Sequence, residues 1–195
     1  MLFRSYLALL VLSLHFGGDY VSMLLPLYRW ELSQLAQDYQ IQTLQLVDSH
    51  GEAVVALTLL TRYFVFGSQV IHPDISISCS TLMGHALQHL LLMLSLVIAW
   101  PTSKLSQRIL RLACALPFLL LVEMLDIPLV LLGSVKDLIS ANFAHGAGSL
   151  AIDWMNFING GGRLALSIAG AVVAICCTHL LLIYQKKWLK NRAIQ

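Results

Sequence analysis

The sequence predicts a mainly α-helical, polytopic membrane protein: four transmembrane helices with a small antiparallel β segment outside the membrane between helices 1 and 2. Three observations predict it. Of 195 residues, 58% are hydrophobic and only 11% charged, where a soluble domain carries about 25% charged residues. Mean hydropathy is +0.77. Several apolar stretches approach the ~20 residues needed to cross a bilayer. This composition excludes a soluble domain, a disordered chain, which needs low hydrophobicity and high net charge, and a nucleic-acid binder, which needs clustered basic residues.

The first helix is the weakest of the four. Ser5 to Phe16 is strongly apolar but short, and spans only by continuing through Gly17, Gly18 and Asp19 into Val21 to Leu25. The rival reading is a cleaved signal peptide, with Arg4 ahead of a Tyr6 to Leu14 apolar run; no Ala-x-Ala signature follows it. The other spans are Leu82 to Trp100, Leu112 to Leu132 and Leu164 to Tyr184. Residues 1–26 are therefore the first span, and 82–184 hold the other three with an outer loop at 133–163. Residues 185–195 are a basic tail.

Charge placement orients the chain. Arg4, Lys104, Arg108, Arg111, Lys186, Lys187, Lys190 and Arg192 lie in the two ends and the 101–111 turn, which contain no acid. Excess Lys and Arg mark the cytoplasmic side. Both termini are then cytoplasmic, in a bacterial inner membrane, which requires an even number of spans.

Residues 27–81 form the sizeable outer segment. Leu27 to Asp38 suits an interfacial helix anchored by Tyr28 and Trp30. Ile41 to Val47 alternates as a strand, Asp48-Ser49-His50-Gly51 is a turn, Ala53 to Phe66 is β-branched and aromatic, and Val70 to Ser78 is a third strand around Pro73. In the outer loop, Gly160-Gly161-Gly162 lacks the Lys and Ser/Thr of a phosphate loop and reads as a hinge into the last span.

The chemistry-bearing residues are few. Glu123 and Asp126 sit near the middle of the third predicted span, three apart and so on one face. Carboxylates at bilayer depth cost about 2.5–3.5 kcal/mol and face a bundle interior. They are expected to contact a partner or relay ions, or to bond His85, Gln88 or His89 or carbonyls freed by Pro128. His85 and His89 are four apart on one face, a spacing that also permits metal or haem ligation. The expected cofactor is none. Cys79, in Ile77-Ser78-Cys79-Ser80-Thr81 at the head of the second span, and His145 in the outer loop are predicted on the same side of the membrane. A thiol beside an imidazole can become a thiolate nucleophile.

This order of features resembles exosortases and archaeosortases, membrane transpeptidases that cut C-terminal sorting tails. The resemblance runs from Leu46 to about Tyr184 and implies Cys79 as nucleophile and His145, followed by Gly148, as its partner. Two positions depart from that pattern. Thr81 stands where the family has Gly, and Glu123 to Pro128 has no Arg, the residue that would stabilise oxyanion charge. In length and in its large segment between spans one and two, the chain is also similar to the exosortase H-associated membrane proteins, with Leu24-Leu25-Pro26-Leu27 ahead of a β-rich outer segment. That layout implies an accessory, non-catalytic role in protein sorting or surface export. The alternatives are a cysteine transpeptidase using Cys79 and His145, and a haem- or metal-binding subunit using His85 and His89. The expected partners are membrane lipid and another membrane protein, an exosortase-type enzyme or a sorted substrate; no nucleic acid is expected.

Overall fold

A computed structural model describes residues 2–102, 104–143 and 148–192, with backbone alone for residue 186 and for 188–192. The chain runs α1 (Leu2–Leu35), β1 (Tyr39–Ser49), β2 (Glu52–Thr61), β3 (Phe64–Phe66), β4 (Gln69–Ile71), β5 (Ser76–Leu82), α2 (Met83–Ala99), α3 (Leu105–Asn142), α4 (Leu150–Phe157), a π turn (Ile158–Gly162) and α5 (Arg163–Arg192). Three helical stretches are long and apolar enough to cross a membrane: Leu2–Leu35, Leu105–Asn142 and Leu150–Gln185. The 17-residue α2 is also apolar but shorter, about 25 Å at 1.5 Å per residue.

Helix α1 is continuous through the glycines, as a first span requires, and differs from the expectation only in not ending at Pro26. It runs through Gly17, Gly18 and Pro26, so the expected interfacial helix from Leu27 is the same helix continued. A Cβ on Gly17 would lie 2.8 Å from Leu87 Cδ1; the missing side chain lets α2 approach closely. At 34 and 38 residues, α1 and α3 measure about 51 and 57 Å, far beyond a ~30 Å hydrocarbon layer. Their excess length builds a cap at one end of the apolar bundle.

Burial divides the two regions. One core joins Val21, Leu24, Tyr28 and Leu32 of α1, Val55, Leu57 and Leu59 of β2, and Ile127, Leu131, Val135 and Ile139 of α3. The other joins Met93 and Val97 of α2, Ala115 and Leu119 of α3, and Ala171 and Ala174 of α5. Around the second core the exposed surface is apolar, with Val11, Leu12, Leu14 and Phe16 on α1, Leu116, Leu120 and Leu121 on α3, and Leu164, Ile168, Val172 and Val173 on α5. Beside the first core, polar residues such as Asp19, Arg29, Ser33, Gln34, Asp137 and Asn142 are exposed. The first core belongs to a cap and the second to the apolar bundle.

The expected sheet forms with order β1-β2-β5, antiparallel throughout, and a register shift between Ile41 and Thr43. The turn at His50-Gly51 uses positive φ at both residues, and Asp48 Oδ1 accepts from the Gly51 N–H at 2.9 Å. The predicted strand Val70 to Ser78 is divided: β4 pairs with β3 in a separate hairpin, and β5 starts after Asp74, whose φ is +66°. Pro73 cannot donate a ladder hydrogen bond, so the strand breaks there.

Within the segment 133–163, α4 (Leu150–Phe157) forms where the sequence reads a short helix over Ala151 to Ile158, and the difference is that α3 extends to Asn142. α3 runs on to Asn142, and α4 folds back along it; a Cβ on Gly133 would meet the Ala151 carbonyl at 2.5 Å. Hydropathy alone misplaced this boundary, because apolar residues facing a protein core score like those facing lipid. At the other end of the bundle, Arg111 Nη1 donates to the Trp100 and Val97 carbonyls at 2.9 and 3.4 Å. A guanidinium thereby satisfies the last turn of α2, where backbone carbonyls lack partners and the helix dipole favours a cation.

Candidate functional site

Between the two cores lies a buried polar cluster centred on α3. The three-residue spacing puts Glu123 and Asp126 on adjoining parts of one face, yet they serve different helices. Glu123 turns to α1: Tyr20 and Tyr28 donate their hydroxyls to its Oε1 and Oε2 at 3.0 and 2.7 Å. Asp126 turns to α2 and α5: Oδ2 lies 2.8 Å from His89 Nε2 and accepts from Arg163 Nε–H at 2.7 Å. Glu123, Asp126, His89, Tyr28 and Ser167 are fully buried, and Arg163 is 7% exposed.

The glycine triplet positions the α5 side of this cluster. Gly161 has φ +117°, a conformation that side chains disfavour, and a Cβ on Gly162 would sit 2.7 Å from the Phe157 ring. The resulting kink separates α4 from α5 and starts α5 at Arg163. Arg163 and Ser167, four apart, then share the face turned toward α2 and α3. Trp154 Nε1 donates to the Leu125 carbonyl at 2.7 Å, beside the Met124 carbonyl whose usual donor is missing because Pro128 has no N–H.

Hydrogen-bond accounting fixes much of the cluster. Ser167 Oγ donates to the Arg163 carbonyl at 2.9 Å within α5, so it accepts from His89 Nδ1 at 2.8 Å. The other imidazole nitrogen faces a carboxylate oxygen at hydrogen-bond distance, and one proton lies between His89 and Asp126. Asp126 Oδ1 and Arg163 Nη2 are buried without a partner among the described residues.

The predicted site residues separate. His89 pairs with Asp126, whereas His85 Nδ1 lies 3.0 Å from Thr81 Oγ1. Gln88 is half-buried. Both nitrogens of His89 are occupied by Ser167 and Asp126, and no group of three or more His, Cys, Asp or Glu among the described residues is arranged to hold a metal ion. Glu123 and Asp126 lie near the middle of the Leu105–Asn142 helix, where the two cores meet and Ile127 onward packs against α1 and the sheet.

Cys79 is not at a helix head. It lies inside β5, opposite Leu57, with its Sγ 3.6 Å from the Leu131 carbonyl. Burial pushes its thiol up to about 12, far from the thiolate range needed of a nucleophile at neutral pH. His145 lies outside the described residues.

Sequence reasoning missed Tyr20, Tyr28, Arg163 and Ser167 as members of this cluster. The four-residue spacing of Tyr20, Leu24, Tyr28 and Leu32 carried the signal for a continuous buried stripe on α1, but Pro26 suggested an interruption. Arg163 was assigned to a loop.

Compared with protein-family models, characterised proteins and solved structures, the chain matches none.

Proposed function

We propose that the chain is a non-catalytic accessory subunit of an exosortase-type protein-sorting or surface-export system. In this reading it crosses the bacterial inner membrane four times with both ends in the cytoplasm, and it presents its sheet-bearing cap to a membrane-protein partner on the outer side. One observation carries the non-catalytic part: the buried ionisable groups bind one another across α1, α2, α3 and α5, and the one thiol of the cap is turned to a backbone carbonyl. Those groups hold the cap on the bundle. The α2 helix is short for a span, but with Leu82 and Trp100 at its ends its apolar length is close to the hydrocarbon thickness.

The edge strand β1 supports the accessory part. Its outward positions, Gln40, Gln42, Thr43 and Gln45, are exposed, and one backbone edge is unpaired in the sheet order. Such edges accept a partner strand. A photo-crosslinker at Gln42 or Gln45 in native membranes tests this. The expected product joins the chain to a second membrane protein, and Cys79→Ala leaves the processing of sorted proteins intact. Crosslinks to lipid alone, or loss of processing in a folded Cys79→Ala protein, refute the proposal.

A further inference from the structure

A cleft of about 700 Å3 opens between the last turns of α1 and the start of β1. Pro26, Arg29, Trp30, Ser33, Tyr39 and Arg62 line it. Arg29 is twelve residues beyond Gly17 on one continuous helix, about 18 Å along its axis. In the four-span reading proposed above, that distance carries the cleft to the aqueous side.

Its chemistry is one-sided. Two guanidinium groups share the cleft, and no described carboxylate forms an ion pair with either; the described ion pairs are the two of Asp126. No hydrogen bond engages the Arg29 side chain among the described residues. Arg62 is held in place, with its backbone N–H on the Asp38 carbonyl at 2.9 Å and Nη1 on the Gln37 carbonyl at 3.4 Å, so most of its fork remains unspent. The second, independent feature is Tyr39. This residue is 3% exposed, lines the cleft, and carries a buried hydroxyl without a partner. An edge-on contact with Phe64 at 5.3 Å fixes its ring. Burial, with Asp38 beside it, pushes its ionisation up, so the hydroxyl is a neutral donor at physiological pH. Unpaired buried donors are rare and call for an acceptor.

We propose that this cleft binds a phosphate ester from the aqueous side, with Arg29 and Arg62 holding the phosphate oxygens, Tyr39 donating to one of them, and Trp30 and Pro26 covering the organic part. Arginine forks match the tetrahedral oxyanion geometrically and electrostatically, and an indole face packs on the non-polar side of a small ligand. The inference does not rest on the accessory role, although Gln40 and Ile41 at the start of β1 border both the cleft and the edge that would receive a partner.

The test uses the full-length protein in detergent, labelled with 5-fluorotryptophan. The four tryptophans give four 19F lines, and Trp30→Phe assigns one. Titration with glycerol phosphate at constant ionic strength is expected to shift the Trp30 line saturably, where sodium chloride does not. Arg29→Gln and Arg62→Gln each weaken the response tenfold or more, and Tyr39→Phe weakens it less. Arg29 is exposed, so its variant folds and keeps the test decisive. A second arm places the protein in phosphatidylcholine bilayers with and without phosphatidylglycerol. A Trp30 shift that needs the anionic lipid, with none from glycerol phosphate, assigns the phosphate to a lipid head group. No saturable shift in either arm, or shifts unchanged in both arginine variants, overturns the proposal.

Discussion

Asp126 of α3 and Arg163 of α5 are 37 residues apart in sequence, and their side chains meet at 2.7 Å, Nε donating to Oδ2. The same carboxylate oxygen lies 2.8 Å from His89 of α2. Three helices therefore converge on one oxygen atom at the level where the apolar bundle gives way to the cap. Taking charges out of water is costly, and the attraction between partners offsets that cost only while both remain. The arrangement specifies which helix faces meet more than it adds to stability. Removing a matched pair is expected to cost less than the sum of the two single removals.

Glu123 provides the equivalent link to α1. Glu123→Gln keeps one acceptor oxygen for the two tyrosine hydroxyls, and a loss of about 1–2 kcal/mol is expected. Glu123→Leu strands both hydroxyls in a buried site, and a loss of about 2–4 kcal/mol is expected. Unfolding midpoints in mixed micelles, followed by circular dichroism, measure both; equal losses contradict the pairing.

The glycine triplet is not uniform. Nothing lies within 4 Å of a Cβ on Gly160, whereas Gly162 would meet Phe157 at 2.7 Å and Gly161 holds φ +117°. Gly160→Ala is expected to change stability by less than about 0.5 kcal/mol, while Gly161→Ala and Gly162→Ala each cost about 1–3 kcal/mol. Thermal unfolding of the three purified variants ranks them directly.

Arg111 satisfies two carbonyls at the end of α2 from inside the bundle. Arg111→Met preserves much of its apolar stem but leaves those carbonyls unpaired, and a loss of about 1–3 kcal/mol is expected. Faster backbone hydrogen exchange confined to the last turn of α2 and Trp100 would show where the loss falls.

Cys79 supplies a pH dependence. Its thiol is pushed from the usual value near 9 up to about 12 by burial, so the folded state favours the neutral form. Below pH 9 the group is neutral both folded and unfolded and has no linked effect. As the pH rises from 9 toward 12 the unfolded chain releases its proton first, and the fold loses stability. In a variant retaining Cys79 alone among the four cysteines, maleimide labelling is expected to be slow at pH 7 and to keep accelerating above pH 9. A rate that levels off near pH 9 contradicts the buried thiol.

Much of the fold was legible in the sequence. The apolar runs located α2 and the cores of α1, α3 and α5, and period-two alternation located β1 and its turn. The boundary between lipid and cap was not legible, because Ile127 to Ile139 is as apolar as a span while packing on α1 and α4. Of the site, the shared face of Glu123 and Asp126 and the pairing of an acid with His89 followed from helical spacing. The tyrosines and Arg163 did not, since their positions depend on a helix that continues through Pro26 and on a kink at Gly161. Cys79 was expected at a helix head because Ile77 to Thr81 adjoins an apolar run; its β-branched and serine residues instead extend the sheet by pairing with β2.

The central claim is that the buried acids tie helices together across the bundle–cap boundary. A double-mutant cycle of Asp126→Asn and Arg163→Met, read as unfolding free energy in mixed micelles, tests it most directly. The account predicts that each single change costs about 3–5 kcal/mol and that the double variant costs less than their sum by about 1–3 kcal/mol. Additivity within about 0.5 kcal/mol would show that the two side chains do not depend on each other, and would contradict the account.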